Sequence, residues 1–277
     1  MPNRLLIKPR PLAINWSHDL ARGLVWCTMP GIESRRDLVS GLYGIPLTSG
    51  SFAGKTILGS ALGSSATTDG GAYWPWSIAI QSILRSFSIV VWARIDGLTA
   101  FSHLLTIPYS NAWNSPFYVL HFLENNTTDK IAVAWTVSAA NTSVIGTIAN
   151  TMVTGPLVMF SVTVSSTTTV FYKNGIFQES TATGTSGNID MGNKREITLF
   201  NHNSAATGEG ISGGCPYAAI WNRSLTQSDM ARLYVNPFQF LKPSQIMQSS
   251  SAIFARTPPA AAATVNIGYR TLMGVGI

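Results

Sequence analysis

Charge is what this sequence has least of. Of its 277 residues only 11% are Asp, Glu, Lys or Arg, while 45% are hydrophobic; soluble domains usually carry about 25% charged residues. Such a chain must cover apolar surface by packing or by contact with neighbours. Cysteine is scarce as well. Cys27 and Cys215 are too few for a disulfide scaffold, no Cys/His spacing suits zinc, and two free buried thiols are expected. Long apolar runs are also missing: stretches such as IVVWA at 89–93 fall far short of the roughly 18 residues of a spanning helix, which argues against a membrane protein. The opening MPNRLLIKPRPLAINW is basic but interrupted by Lys8, Pro9 and Pro11, so no secretory signal is expected.

Acidic residues are outnumbered 12 to 18, for a formal net charge of +6. The excess lies at the two ends. Arg4, Lys8, Arg10, Arg22, Arg35 and Arg36 precede a nearly neutral middle; after Asp229 come Arg232, Lys242, Arg256 and Arg270 with no acid. Nucleic-acid sites cluster their cations, so this distribution better fits arms lying on an acidic protein surface.

What the sequence has in quantity is short strand-like runs separated by Gly, Ser, Thr and Asn. They include LVWCTM at 24–29, FSIVVWARI at 87–95, FYVLHFL at 117–123, KIAVAWTV at 130–137, LVMFSVTV at 157–164, EITLF at 196–200 and PYAAIW at 216–221. Their spacing predicts antiparallel strands, and their continuous apolar character predicts sheets covered on both faces. In VFYKNGIFQ, Asn174-Gly175 supplies the two positive-φ residues of a type I′ hairpin. Thr226 with Asp229 reads as a capping box, and Leu225 with Met230 as a hydrophobic staple. A short helix is therefore expected, with Met230 and Leu233 inward and its end at Asn236-Pro237.

Residues 1–20 read as an N-terminal arm, 21–236 as one domain, and 237–277 as an extended C-terminal arm, because Pro and small residues separate the apolar clusters there. The apolar arm residues Leu5, Leu6, Ile7, Phe238, Phe240, Ile253, Phe254 and Tyr269 are the candidate partner contacts. The segment 264–277 has the character of a strand that adds to a sheet edge of a neighbour.

INWSHDLARGLVWC, RDLVSG, SFSIVVWARID, VFYKNG and AAIWNRSLTQSDMARLYVNPF occur in this order. Together, over roughly residues 14–240, they resemble laminin-G-like, concanavalin-A-like jelly-roll modules, and more narrowly those of tailed bacteriophages. The resemblance implies an all-β fold: a concanavalin-A-like (LamG-type) antiparallel β-sandwich jelly roll with one short C-terminal helix and extended terminal arms. It also implies neighbouring first and last core strands, which brings Cys27 and Cys215 into neighbouring regions. Some members bind calcium or glycans; where many relatives have an acidic pair, this chain has Pro216-Tyr217, so no metal and no other cofactor is expected.

Catalytic patterns are lacking. Glycoside hydrolysis needs paired carboxyls, but Glu124 and Asp129 flank the polar loop ENNTTD, and Asp96 sits beside Gly97. His18, His103, His121 and His202 are scattered, and GTSGN at 184–188 lacks the nucleophile-elbow form. Tyr73, Trp74 and Trp76 cluster in AYWPW and Trp113 lies in YSNAWNSP; Trp74, Trp76 and Trp113 are the candidate glycan-stacking rings, with buried packing or a protein interface as the other use, and Trp16, Trp26, Trp92, Trp135 and Trp221 are assigned to the core. The expectation is a non-enzymatic structural protein of a phage virion, homo-oligomeric and bound to capsid or tail subunits. A module for host-surface polysaccharide is the alternative, and a glycoside hydrolase the remote one.

Overall fold

β-branched and aromatic runs bounded by turn formers fold here into short antiparallel strands. The structure, a computed structural model, describes residues 12–30, 35–47, 51–64, 70–83, 85–98, 102–108, 118–125, 130–138, 141–146, 153–182, 196–201 and 210–243. The strands are β1 (Leu12–Ile14), β2 (Leu24–Thr28), β3 (Ile45–Pro46), β4 (Ser51–Thr56), β5 (Gly59–Ser64) and β6 (Ala72–Pro75). There follow β7 (Phe87–Leu98), β8 (His103–Pro108), β9 (Tyr118–Asn125), β10 (Lys130–Ser138), β11 (Asn141–Gly146) and β12 (Leu157–Val164). The last are β13 (Thr168–Lys173), β14 (Ile176–Ala182), β15 (Glu196–Leu199), β16 (Ile211–Trp221) and β17 (Leu241–Pro243), with helix α1 (Gln227–Val235) before β17.

Two sheets form the sandwich. One has the order β11-β10-β9-β8-β15-β6-β3, the other β14-β13-β12-β7-β16-β5-β4, with β2 also on β16. Alternate residues of both sheets meet between them: Ile89 and Val91, Phe160 and Val162, and Ala218 and Ile220 face Trp74, Leu199, Phe122 and Trp135 in one buried cluster. The other face of the eight-stranded sheet builds a second cluster, in which Trp92, Met159, Tyr217 and Trp221 are covered by Met230, Leu233, Phe238 and Phe240. That second layer explains why strands such as β12 and β16 are apolar at successive positions.

The local signals resolve as expected. The Thr226 hydroxyl accepts from the Asp229 amide (3.1 Å), and the Asp229 carboxylate accepts from the Thr226 amide (3.0 Å). Leu225 and Met230 are buried in the same cluster. The chain leaves the helix at Asn236 (φ −149°, ψ 93°), extended as the residue before a proline prefers to be. Asn174 (φ 54°) and Gly175 (φ 74°) turn between the paired Lys173 and Ile176. A Cβ on Gly175 would stand 2.9 Å from Tyr234 Cβ and 3.0 Å from Met230 O, so the hairpin tip is pressed against α1.

The opening and closing motifs prove to be one structure. The first and last core strands are neighbours, as the resemblance implied: β2 pairs antiparallel with β16, and Cys27 is opposite Ala219. Beyond the strands, Trp221 Nε1 donates to Leu20 O (2.7 Å), Arg223 Nε to Arg22 O (2.7 Å), and the Asn222 amide to Gly23 O (2.8 Å). Arg232 forks onto the Asp19 carboxylate at 2.6 and 3.0 Å, and this hydrogen-bonded pairing holds the Asp19 carboxyl down at about 2. In RDLVSG, buried Asp37 accepts from the amides of Cys27, Val39 and Ser40 and from the Ser40 hydroxyl. Neither cysteine is in a disulfide and both are buried, with Cys27 in the outer cluster and Cys215 in the core between the sheets.

The arm boundaries differ from expectation. Residues 12–20 are already part of the fold: β1 pairs antiparallel with β17, Ile14 opposite Leu241, and Leu20 is buried. Phe238 and Phe240, expected to grip a partner, are buried against Tyr217 and Trp221 of their own chain, with edge-to-face rings 6.3 Å apart in each pair. Burying an aromatic side chain is worth roughly 1.5–3 kcal/mol, and the outer sheet face offered that surface directly.

Candidate functional site

Among the described residues, the outer face of the seven-stranded sheet is built largely from hydroxyl and small side chains. Side chains alternate along a strand, so a register row is on one face. In one row Ala72, Leu199, Leu105, Phe122 and Val133 are paired in succession across the sheet, all within the core. The adjacent row places Ile45, Tyr73, Thr198, Thr106, His121 and Ala134 opposite one another in turn. Ala132 and Ala134 form a small buried cluster separate from the main core.

This outward row runs from open to closed. Ile45 is exposed at the β3 edge, Tyr73 is half-buried, and Thr198 and Thr106 are completely buried. Glu196 and His103 are buried in the same two strands; Glu196 is two residues from Thr198 and so shares its face. The facing hydroxyls Thr106 Oγ1 and Thr198 Oγ1 have no hydrogen-bond partner. A buried hydroxyl left unpaired costs about 1–3 kcal/mol; both of these are fully enclosed, so a ligand would reach them only by displacing what covers them. Alanines beside them keep the sheet surface low. The half-buried Tyr73 ring stands at the open end, where an apolar ligand face can lie against it.

The expected stacking residues are placed otherwise. Trp74 is 0% exposed; its Nε1 donates to Arg35 O (2.6 Å), and its ring meets Trp26 edge-on with centroids 5.3 Å apart. A Cβ on Gly44 would come within 2.4 Å of Trp74 Cε2, so the indole is sealed in the core and is not a stacking surface. Trp76 is half-buried and packs against the same core. Trp113 and the arm residues Leu5, Leu6, Ile7, Ile253, Phe254 and Tyr269 lie outside the described residues. Trp26, Trp92, Trp135 and Trp221 are buried as assigned, whereas Trp16 is 57% exposed.

Thr106, Thr198 and Glu196 were not among the expected site residues, and Tyr73 was expected only as part of the AYWPW aromatic cluster. Their signal was present: HLLTIP and EITL each hold a threonine inside an apolar strand, and in AYWP the outward residue is the neighbour of the inward tryptophan. Elsewhere, burial pushes the Cys27 thiol and the Tyr217 phenol upward, each reinforced by a nearby polar group, Asp37 for Cys27 and Cys27 for Tyr217. Both stay neutral and serve packing. No His/Cys/Asp/Glu group of metal-binding size occurs among the described residues, and no described helix is long and apolar enough to cross a membrane.

No protein-family model matches this sequence, and no curated protein sequence matches it. Solved structures do share the fold. Domain 4 of the extracellular arabinanase AbnA from Geobacillus stearothermophilus, in complex with arabinotriose, superposes with a TM-score of 0.59 at 13% identity, over 76% of this chain and 98% of that one. The binding domain of Paraclostridial Mosquitocidal Protein 1 gives 0.59 at 16% identity, over 80% of this chain and 54% of that one. The CBM40 of a Ruminococcus gnavus sialidase, bound to α2,3-sialyllactose, gives 0.50 at 10% identity, over 62% of this chain and 96% of that one. At such identities the likeness is one of fold. The chain is an antiparallel jelly-roll β-sandwich, the fold it shares with these domains.

Proposed function

We propose that this chain is a carbohydrate-binding module, with its site on the outer face of the seven-stranded sheet. The observation that carries the reading is the facing pair Thr106 and Thr198, buried and without hydrogen-bond partners. Binding sites combine an enclosed surface with a few convergent polar groups, and a sugar supplies hydroxyls that donate and accept together with a CH face for Tyr73. The fold neighbours solved with arabinotriose and with sialyllactose support the same choice. Binding without turnover belongs to this reading: Glu196 is the acid on this face among the described residues, and glycoside hydrolysis ordinarily uses two.

The test is a glycan array followed by calorimetry, with arabinotriose and α2,3-sialyllactose among the probes. Thr198→Val keeps the shape and removes one unpaired hydroxyl. It is expected to raise stability by about 1 kcal/mol while weakening glycan binding about tenfold or more; Tyr73→Ala weakens binding as well. Unchanged affinity in both variants, or no glycan bound by the wild type, overturns the proposal.

The ordered motifs of the sequence favour a second reading, a component of a bacteriophage virion that attaches to capsid or tail subunits. Locating the chain in purified particles tests it. Deleting residues 244–277, which leaves Leu241–Pro243 paired within the fold, is expected to keep the sandwich folded while preventing incorporation into particles; incorporation at normal occupancy overturns this second reading.

A further inference from the structure

The eight-stranded sheet ends at β14, which among the described residues pairs with β13 and with nothing on its other side. Such an edge presents unpaired backbone donors and acceptors to any extended segment. Its two faces differ. On the helix side, Phe177 stands edge-on to Tyr172 at 6.5 Å, and Tyr234 lies flat on Trp92 at 5.6 Å. Phe177, Tyr234, Ile176 and Val235 are all exposed, and the hairpin tip touches α1 at Gly175, which makes one apolar patch. On the core side, Glu179 is paired opposite the buried Phe171, and its Oε2 is buried without a hydrogen-bond partner.

Residues 265–277 have the complementary pattern. Val265, Ile267, Tyr269, Thr271, Met273, Val275 and Ile277 alternate with Asn266, Gly268, Arg270, Leu272, Gly274 and Gly276, a strand with one face apolar except at Thr271 and one face small or polar except at Leu272. From residue 244 onward the chain holds Arg256 and Arg270 and no acid. Added beside β14, this segment turns its apolar face to the Phe177 and Tyr234 patch, and Arg270 falls on the side of Glu179.

We propose that residues 265–277 add as an extra strand to the free edge of β14 in the same molecule. Residues 244–264, 21 in all, span up to about 70 Å when extended. By sheet order β14 is four strands from β16, on which the Phe240 ring that precedes β17 is seated; that is about 20 Å. The tether is therefore ample. It holds the segment at an effective concentration in the millimolar range, well above that of a second copy under ordinary conditions. The site is separate from the glycan face, which belongs to the other sheet.

Limited tryptic digestion of the full chain tests this, since cleavage follows the population of the open state. Cleavage after Arg270 is expected to be about tenfold or more slower than after Arg256. Phe177→Asp on the edge, and separately Ile267→Pro in the segment, each bring the two rates together without shifting the urea midpoint of the sandwich. Glu179→Gln has the same effect in smaller degree. Equal cleavage at Arg256 and Arg270 in the wild type, or rates unmoved by Phe177→Asp and Ile267→Pro, overturns the proposal. Protection that disappears on roughly hundredfold dilution overturns the intramolecular assignment and places the segment on a neighbouring copy.

Discussion

On the eight-stranded sheet the outward residues are large and apolar, and the chain itself covers them: α1, Phe238, Phe240 and the β1/β17 ribbon complete a second core. On the seven-stranded sheet the corresponding positions hold Thr106, Thr198, Ala132 and Ala134, with Tyr73 at the open end. The first arrangement maximises buried apolar area; the second gives up that gain and leaves two hydroxyls unpaired. Isolated polar atoms such as Trp92 Nε1 and Ser161 Oγ also lack partners under the helix, but each is a single atom among apolar neighbours. Among the described residues, Thr106 and Thr198 form a facing pair of hydroxyls that both lack partners. Both faces are covered, but the apolar one gains stability from its cover, whereas the polar one keeps two unpaired hydroxyls, on which the proposed glycan site rests.

The sharpest way to break that comparison is Phe240→Ala. Truncating a buried phenylalanine typically costs about 3–5 kcal/mol, so the urea midpoint should fall steeply while glycan affinity, measured below the transition, stays unchanged. A loss of affinity with intact stability would reverse the roles of the two faces. Next is Gly175→Ala, which forces a Cβ onto α1 at a positive-φ position; about 1–3 kcal/mol of destabilisation is expected, read by thermal unfolding. An effect near zero would mean that the hairpin does not brace the helix.

The smallest expected effect concerns the Asp19–Arg232 fork that ties the opening motif to α1. Asp19 has a lowered carboxyl, held at about 2 by its hydrogen bonds to Arg232, so the fork contributes fully above the ordinary carboxylate range. The contribution fades as pH falls through about 2. Because Asp19 is largely in solvent, screening keeps the change small. Stability compared with that of Asp19→Asn across this acid range should converge at the low end and diverge at the high end. A constant difference would remove the linkage.

Much of the closed face was legible in the sequence. The Asn174-Gly175 turn, the Thr226/Asp229 box and the Leu225/Met230 staple depend on neighbours a few residues away, and the structure reproduces each. The polar face was not, because AYWPW marks a strand without saying which side faces inward. Trp74 goes to the core and Tyr73 to the outer row once β6 has paired with β15. Phe238 and Phe240 read as arm residues for a related reason: the surface that buries them is assembled from β16, more than 15 residues upstream, and no local pattern reports it.

The sequence by itself determined the elements: an all-β chain with alternating strands and one capped helix. These follow from backbone sterics, turn chemistry and hydrophobic period, all of which act within a few residues. Only the tertiary structure decided which side of each strand is inside, which apolar residues the fold keeps for itself, and that two threonines on separate strands stand face to face without partners. Those outcomes depend on register between segments as distant as Thr106 and Thr198, which is set when the sheets assemble and the burial of all their strands is satisfied together.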